Sequence, residues 1–352
     1  MIKVLVVDDS AIVRKVITEE LSKYDDIQII GTAVDPYAAR DKIVKLKPDV
    51  ITLDMEMPRM DGLSFLAKLM KYLPMPVVVL SSLTPRDSEI AIKALELGAV
   101  EVLCKPGASY STKDIARPLI RAIRAAANAS FDFKLEKVHA IDDKVNQNNL
   151  LVETTHKVVA IGASTGGTNA IESILKGMPV SSPGTVIVQH MPESFTTSFA
   201  ERLNKSCDVE VREARDKDHI VPGVALIAPG NYHMIMRRSG TNYLVRIKDG
   251  PQVHYQRPAV DVLFQSVAKS AGENSVGVLL TGMGTDGAKG LQAMNNSGAY
   301  TIAQDEESCI VFGMPKEAIK LGAVNKVVPL HQMPGEIIKA LNHMSVVSGT
   351  AV

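Results

Sequence analysis

The sequence contains no tryptophan, few aromatic residues and only three cysteines in 352 residues. Cys104, Cys207 and Cys309 are far apart and form no Cys-x-x-Cys pair. This spacing argues against a disulfide framework and against a zinc site. We therefore expect three reduced, structural thiols.

The sequence also lacks an excess of charge of either sign, because 39 Lys plus Arg balance 39 Asp plus Glu. Binding to nucleic acid or to an anionic membrane depends on excess positive charge, so neither is expected as the main role. No apolar run approaches the ~18 to 20 residues that span a bilayer, and the first residues resemble a strand rather than a signal peptide. We expect a cytoplasmic protein without direct membrane insertion.

The length favours two domains, and the apolar fraction of 46% is that of a folded chain. Short β-branched segments alternate with helical patterns, which is typical of α/β domains with doubly wound parallel sheets. This periodicity is lost at 128–155, so we predict domains at 1–127 and 156–352 joined by a linker. Predicted strands lie at 3–7, 27–32, 50–53, 77–80, 100–104, 157–161, 185–189, 224–227 and 276–281, with a β-hairpin inserted at 232–253.

Polar residues follow four of the predicted strands in the first half. Asp8 and Asp9 close the first strand, Asp54 closes the third, and Ser81 and Lys105 follow the fourth and fifth. Because parallel strands end at one edge of a sheet, these side chains should converge. Mg²⁺ would relieve the repulsion between the carboxylates and leave one of them as a phosphoryl acceptor. The alternative is a set of ordinary helix N-caps.

Residues 1–127 resemble the receiver domain of two-component response regulators, which has a flavodoxin-like fold. The shared motifs are Val-Asp-Asp-Ser at 7–10, Asp-Met-Glu-Met-Pro at 54–58, Asp-Gly at 61–62 and Lys-Pro at 105–106. The resemblance implies phosphorylation of Asp54 by a histidine kinase, a switch that uses Ser81 and Lys105, and a Mg²⁺ ion. The implied metal ligands are Asp8 through water, Asp9, Asp54 and the Glu56 carbonyl. Val102 departs from the family pattern, because receivers usually carry a switch aromatic residue at this position.

A serine lies in a glycine-rich turn of the second half, Gly-Ala-Ser-Thr-Gly-Gly at 162–167. Such a turn between a strand and a helix places Ser164 beside helix amides that can stabilise an oxyanion. His190, at the end of the next predicted strand, can act as the base. Asp286, in a glycine-rich loop after a later strand, can orient the imidazole. Together they would form a Ser-His-Asp triad.

Other interpretations of these residues stay open. A glycine-rich turn can cradle the phosphates of a dinucleotide, although Ser164 occupies the middle glycine position of that motif. Asp305 is the rival of Asp286 as the triad acid, and we prefer Asp286 because its neighbouring glycines allow close backbone approach. Three further histidines are interpreted as surface or hydrogen-bonded loop residues: His219, His233 and His254.

Residues 156–340 resemble the catalytic domain of chemotaxis protein-glutamate methylesterases, for which we expect a Rossmann-like fold. The shared motifs are Ile-Gly-Ala-Ser-Thr-Gly-Gly at 161–167, Val-Gln-His-Met-Pro at 188–192, Ala-Pro-Gly at 228–230, Arg-Pro-Ala-Val-Asp-Val-Leu-Phe at 257–264, Leu-Thr-Gly-Met-Gly-Thr-Asp-Gly at 280–287 and Phe-Gly-Met-Pro at 312–315. The resemblance implies hydrolysis of glutamate methyl esters on methyl-accepting chemoreceptors and deamidation of selected receptor glutamines. It also implies supporting roles for Thr165 and Met283, and no cofactor is expected in this domain.

Two other functions fit a receiver domain followed by a second domain. A DNA-binding domain would need a basic recognition helix, and the second half shows no helix-turn-helix pattern. A domain without catalysis could use the same pocket only to bind receptor tails. For the esterase, we expect phosphorylation of Asp54 to shift the domain arrangement so that the receiver no longer blocks Ser164.

Overall fold

The computed structural model describes residues 1–81, 85–105, 112–129 and 156–348. The chain forms two compact units, Met1–Lys134 and Leu135–Val352. Most of the predicted linker, from residue 130 onwards, lies outside the described residues, as does Pro106. Within the described ranges, no helix is both long enough and apolar enough to cross a membrane.

The first unit is a five-stranded parallel sheet with the order β2-β1-β3-β4-β5. This is the flavodoxin-like order. The direction in which successive strands are added to the sheet reverses between β1 and β3, because β2 lies on one side of β1 and β3 on the other. Each strand lies within one residue of its predicted bounds. The elements are β1 (Ile2–Val7), α1 (Ala11–Leu21), β2 (Ile27–Ala33), α2 (Pro36–Leu46), β3 (Val50–Asp54), α3 (Gly62–Tyr72), β4 (Val77–Ser81), α4 (Pro85–Glu96), β5 (Glu101–Cys104) and α5 (Thr112–Ala127).

The second unit contains a seven-stranded parallel sheet with the order β15-β14-β13-β6-β7-β10-β8. The predicted α/β architecture is thus confirmed in both units. Its sheet strands and their helices are β6 (Val158–Ala163), α6 (Gly167–Lys176), β7 (Gly184–Gln189), α7 (Glu193–Ser206), β8 (Glu210–Glu213), β10 (Val224–Ile227), α8 (Val260–Ser270), β13 (Ser275–Leu279), α9 (Ala288–Asn296), β14 (Tyr300–Gln304), α10 (Met314–Lys320), β15 (Lys326–Val328) and α11 (Met333–Ser348).

The predicted hairpin insertion is confirmed, and it belongs to a separate antiparallel sheet with the order β11-β12-β9. These strands are β9 (His219–Ile220), β11 (His233–Ser239) and β12 (Asn242–Lys248). The predicted strands do not include β8, β9, β14 or β15. Strands β8, β9 and β15 have two to four residues and a single buried side chain each, so the apolar signal that marks a central parallel strand is missing from them.

Helix α8 packs directly onto strand β6 because Gly162 has no side chain. A Cβ atom at Gly162 would lie 2.2 Å from Val260 Cγ1 and 3.1 Å from Phe264 Cζ. Val260 and Phe264 are themselves fully buried. The close approach places the first turn of α8 near the carboxyl end of β6, where Ser164 follows.

We expect Gly162→Ala to destabilise the second unit by about 1–3 kcal/mol, because the added methyl overlaps Val260. Gly335→Ala is the matched control, since Gly335 lies in a helix with nothing within 4 Å of its Cβ position. The control should be as stable as the parent or slightly more stable. Urea unfolding followed by circular dichroism compares the two. Equal stability of both variants would contradict the packing argument.

Candidate functional site

Four charged residues meet at the carboxyl edge of the first sheet. Asp8 and Asp54 are fully buried, whereas Asp9 is exposed. One carboxylate oxygen from each of the three lies within 4.8 Å of the others. Lys105 Nζ is 2.6 Å from Asp54 Oδ1 and 3.4 Å from Asp8 Oδ2. The structure therefore brings together the acidic residues and the lysine that the strand ends predicted.

Burial dominates the electrostatics of this acidic pocket. It raises the pKa of Asp54 to about 6, although hydrogen bonds from Lys105 and the Glu56 amide act in the opposite direction. Burial raises the pKa of Asp8 as well. Asp8 Oδ2 and Asp54 Oδ2 accept no hydrogen bond from the part of the chain that the structure describes. Unsatisfied carboxylate oxygens are the ligands that Mg²⁺ prefers, so these residues fit the implied ion.

The pocket carboxylates are not helix N-caps. The caps of α1, α2 and α3 are Ser10, Asp35 and Asp61, whose side chains accept hydrogen bonds from helix amides. Asp8 and Asp54 instead accept from amides two residues further on, in the turns that follow β1 and β3. The N-cap alternative is therefore wrong for both carboxylates, and their second oxygens stay available.

Three other positions of the first unit are also placed. Ser81 is buried at the end of β4, and its carbonyl accepts a hydrogen bond of 2.8 Å from the Lys105 amide. Glu56 is exposed and donates its backbone N–H to Asp54 Oδ1 at 2.9 Å. The Glu56 carbonyl as a metal ligand stays a prediction. Val102 is buried within β5, so an aliphatic side chain fills the position where a switch aromatic was expected.

In the second unit, Ser164 and His190 leave the sheet side by side. Strands β6 and β7 are neighbours, and Ala163 pairs with Gln189 at their last residues. The His190 amide donates to the Ala163 carbonyl at 3.1 Å, which fixes the two strand ends together. Ser164 is buried, at 4% exposed. Ser164 and His190, the predicted nucleophile and base, thus stand at adjacent positions of one sheet edge.

His190 and Asp286 are in direct contact. The distance between His190 Nε2 and Asp286 Oδ2 is 2.8 Å, and both side chains are 3% exposed. The Asp286 carboxylate also accepts hydrogen bonds from the amides of Val260 and Asp261, in the first turn of α8. Burial acts to raise the pKa of Asp286, but the His190 contact and the two amides outweigh it and lower the pKa. Asp286 is therefore a fixed carboxylate that orients the imidazole.

The other imidazole nitrogen, His190 Nδ1, is buried and has no hydrogen-bond partner among the described residues. In the best-known Ser-His-Asp triads the aspartate binds Nδ1 and the serine faces Nε2. Here Nε2 is bound to Asp286, so Nδ1 is the nitrogen that can take a proton. The structure thus joins His190 to Asp286 and places Ser164 at the adjoining strand end, without a hydrogen bond between Ser164 and Nδ1.

The rival acid, Asp305, has a local role. Its carboxylate accepts hydrogen bonds from the Ser308 amide and hydroxyl in the turn after β14. In the serine turn, Gly166 has a φ of 78°, which favours glycine, and the Gly167 amide donates to the Ser164 carbonyl at 2.7 Å. That amide shapes the turn and is not a free oxyanion donor.

The two residues with implied supporting roles both lie near the serine turn. Thr165 is buried, and its carbonyl accepts a hydrogen bond from the Thr281 hydroxyl at 3.0 Å. Met283 is half-buried in the glycine loop that follows β13. In the second sheet, the direction in which strands are added reverses between β6 and β13. Ligands of open α/β sheets bind at such a point.

Sequence reasoning gave no role to Gln189, which connects the nucleophile to the base. Its side-chain Nε2 donates to the Ser164 carbonyl at 2.9 Å and to the His190 carbonyl at 3.1 Å. A Cβ atom at Gly167 would lie 2.2 Å from Gln189 Oε1, so the glycine makes room for this amide. The available signal was its position immediately before His190 in the Val-Gln-His-Met-Pro motif.

No disulfide joins the described residues, and all three cysteines are thiols. Burial raises the pKa of Cys104 and of Cys309 to about 12, and it raises the pKa of Cys207 as well. A thiol with a pKa this high is a poor nucleophile at neutral pH. Cysteine chemistry is therefore not part of either site.

Comparisons with known proteins match one family to each half of the chain. The CheB methylesterase family matches residues 159–337, and the response regulator receiver domain matches residues 4–115. The protein-glutamate methylesterase/protein-glutamine glutaminase 2 of Syntrophus aciditrophicus is 59% identical over 338 residues, which cover 96% of this chain and 98% of that protein. The Salmonella typhimurium protein-glutamate methylesterase/protein-glutamine glutaminase is 51% identical over 343 residues, with 97% of each chain covered.

A solved structure is similar to the second unit. The catalytic domain of the Thermotoga maritima CheB methylesterase is 37% identical, with a TM-score of 0.51. The match covers 52% of this chain and 97% of that domain. This likeness supports the parallel-sheet architecture of the second unit.

We expect Gln189→Met to destabilise the second unit by about 1–3 kcal/mol, because methionine fills similar space but donates no hydrogen bond. The His190 carbonyl loses its side-chain donor, and the Ser164 carbonyl keeps only the Gly167 amide. Gln265→Met is the matched control, since Gln265 lies on the exposed face of α8. Urea unfolding of the two variants against the parent gives the measurement. The bridging role of Gln189 is refuted when both substitutions have the same small effect.

Proposed function

This chain belongs to the CheB methylesterase family, with a response regulator receiver domain before the esterase domain, and we propose that it removes methyl esters from glutamate side chains of chemoreceptors. The same site would deamidate selected receptor glutamines to glutamate, as the names of its relatives state for them. The observation that carries the proposal is the 2.8 Å contact between His190 and Asp286 beside the strand end that bears Ser164.

In the proposed reaction, Ser164 Oγ attacks the side-chain acyl carbon of the substrate. His190 Nδ1 takes the hydroxyl proton, and Asp286 stabilises the resulting imidazolium through Nε2. The carbon–oxygen or carbon–nitrogen bond of the leaving group then breaks as His190 returns the proton, which releases methanol or ammonia. Water attacks the acyl-enzyme, again with proton transfer through His190, and frees the glutamate carboxylate and Ser164.

The receiver domain places this activity under the control of phosphorylation, and we propose Asp54 as the acceptor. A histidine kinase of the chemotaxis system would be the phosphodonor. The carboxylates of Asp9 and Asp54, the Glu56 carbonyl and, through water, Asp8 would hold Mg²⁺, which would neutralise charge during phosphoryl transfer. Lys105 and Ser81 would hold the phosphoryl oxygens, since both already lie at the ends of neighbouring strands.

We expect Ser164→Ala to reduce methanol release from methylated receptor membranes by about 10³- to 10⁶-fold, because the nucleophile is lost. His190→Ala should be similarly severe, and Asp286→Asn milder. Asp305→Asn is the matched control for the acid and should leave the rate near normal, because Asp305 only stabilises a turn. Most of the activity remaining in Ser164→Ala would refute the proposed triad. A normal rate in Asp286→Asn with loss in Asp305→Asn would assign the acid to Asp305.

We expect Asp54→Asn to abolish labelling of the receiver by a small phosphodonor with Mg²⁺, because an amide cannot accept the phosphoryl group. Asp41→Asn, which changes an exposed carboxylate of the same unit, should be labelled like the parent. In the protein without Mg²⁺, Asp54 gains a proton as the pH falls through about 6, so labelling of the parent should require more Mg²⁺ below that pH. Mass spectrometry of the intact protein follows the phosphoryl group. Labelling that persists in Asp54→Asn would point to another acceptor, with Asp9 examined first.

A further inference from the structure

A second histidine–aspartate pair adjoins the pair formed by His190 and Asp286. His254 Nε2 lies 2.9 Å from Asp261 Oδ2. The Asp261 side chain is 4% exposed, whereas that of His254 is 36% exposed. One ligand-type atom from each of His254, Asp261 and Asp286 lies within 4.8 Å of the other two. The proposed triad is thus continued by two more titratable groups that end at the solvent.

Asp261 and Asp286 lie between the amino ends of α8 and α9. Each carboxylate accepts hydrogen bonds from backbone amides of the opposite helix. Asp286 precedes α9 but accepts from the first amides of α8. Asp261 belongs to α8 but accepts from the Gly290 amide of α9 at 2.6 Å. A Cβ atom at Gly290 would lie 3.0 Å from Asp261 Oδ1, so glycine allows this approach. The helix N-termini, with their partial positive charge, favour both carboxylates.

Two carboxylates at this separation repel each other, and they differ in which one takes a proton first. Burial raises the pKa of Asp261, and the negative charge of Asp286 raises it further. The pKa of Asp286 is lowered by its contact with His190 and by the α8 amides despite its own burial. Asp261 is therefore the carboxyl that protonates first. The hydrogen bond and charge of His254 act against that protonation.

A protonated Asp261 has a consequence for the base. Adjacent carboxyl groups share one proton when only one of them can ionise. Protonation would remove the negative charge of Asp261 from beside the pair of His190 and Asp286, and an acidic hydrogen directed at Asp286 would compete with His190 for that carboxylate. The imidazolium that forms during catalysis would lose part of its stabilisation.

The loop that carries His254 is held in an uncommon backbone conformation. His254 and Tyr255 have φ values of 52° and 61°, the left-handed region that favours glycine and asparagine. The turn is closed by hydrogen bonds between Val253 and Gln256 in both directions, of 3.0 and 2.9 Å. Left-handed conformations of larger residues cost free energy and persist where surrounding contacts require them. The contact with Asp261 is such a requirement.

Apart from His254 and Asp286, no titratable side chain among the described residues is hydrogen-bonded or ion-paired to the Asp261 carboxylate. His233 on β11 is engaged with backbone, since its Nδ1 accepts from the Ala259 amide and its Nε2 lies 2.9 Å from the Pro251 carbonyl. Lys289 is on the exposed side of α9. The hydrogen bonds of Asp261 therefore come from the Gly290 amide and from His254.

We propose that His254 is a positioning residue of this esterase, whose Nε2–H keeps Asp261 a carboxylate so that Asp286 is left to His190 and the α8 amides. This inference rests on the proposed function, in which His190 is the base. It assigns a role in the reaction to a side chain outside the triad, one that reaches the solvent at the far end of the hydrogen-bonded chain.

Two amide substitutions that differ in reach test the proposal. His254→Asn suits the left-handed backbone, but its amide ends short of the position of Nε2. His254→Gln extends a similar amide further, to about the distance at which Asp261 can accept. His219→Ala changes an exposed histidine on β9 and serves as a control for histidine loss.

We expect His254→Asn to lower kcat about 10- to 100-fold at neutral pH, the size of one hydrogen bond to a charged group, with KM nearly unchanged. The deficit should shrink as the pH rises, because Asp261 then loses its proton. His254→Gln and His219→Ala should stay close to the parent rate. The proposal is overturned by parent-like rates in His254→Asn, or by equal losses in the asparagine and glutamine variants.

A proton NMR measurement separates this inference from the proposed function. The hydrogen between His190 Nε2 and Asp286 Oδ2 should give a downfield resonance, identified by its loss in His190→Gln. It should move upfield in His254→Asn and stay in place in His254→Gln. If the parent released no methanol but the resonance moved upfield in His254→Asn and not in His254→Gln, the esterase proposal alone would fail. An active parent with the same resonance in His254→Asn would overturn the positioning role alone.

Discussion

A carboxylate buried as deeply as Asp286 is stable only where hydrogen-bond donors surround it. Two of its three donors are backbone amides at the start of α8, and the third is the imidazole of His190. The amides reach Asp286 because α8 lies directly on β6, where Gly162 has no side chain. The orientation of the base therefore depends on close packing between a helix and the central strand, as well as on the residues of the triad.

In the acidic pocket of the first unit, a buried carboxylate also depends on hydrogen-bond donors, but there the donors are too few. Asp54 receives too few donors to offset its burial, so its pKa rises to about 6 and one oxygen is left without a partner. Asp286 receives enough donors, and its pKa falls. A carboxylate with an unsatisfied oxygen can bind a cation and accept a phosphoryl group, whereas a fully satisfied one only holds its partner. The number of hydrogen-bond donors around a buried aspartate thus decides which chemistry its carboxylate can perform.

Much of the fold followed from the sequence because buried parallel strands are continuous apolar segments, and their carboxyl ends share one edge. That rule predicts from the sequence alone that Asp54 and Lys105 lie close together. It could not predict the exchange of amides between Asp261 and Asp286, because side-chain to backbone bonds between distant turns leave no periodic signal. The free nitrogen of His190 and the bridging amide of Gln189 were beyond the sequence for the same reason. His254 was interpreted as a bystander in a loop, and its contact with Asp261 appears only once α8 and that loop are placed.

Ester hydrolysis and amide hydrolysis at one serine make the same demand on the imidazole. Methoxide and the amide nitrogen are both poor leaving groups until a proton arrives, and in the proposed mechanism His190 carries that proton in both reactions. The imidazolium exists only while Asp286 keeps its charge available to Nε2. Any group that donates a competing hydrogen bond to Asp286 therefore lowers the rates of both reactions, whichever leaving group is present. A neighbouring carboxyl is such a group when protonated, so the state of Asp261 bears on the esterase and the deamidase activity alike.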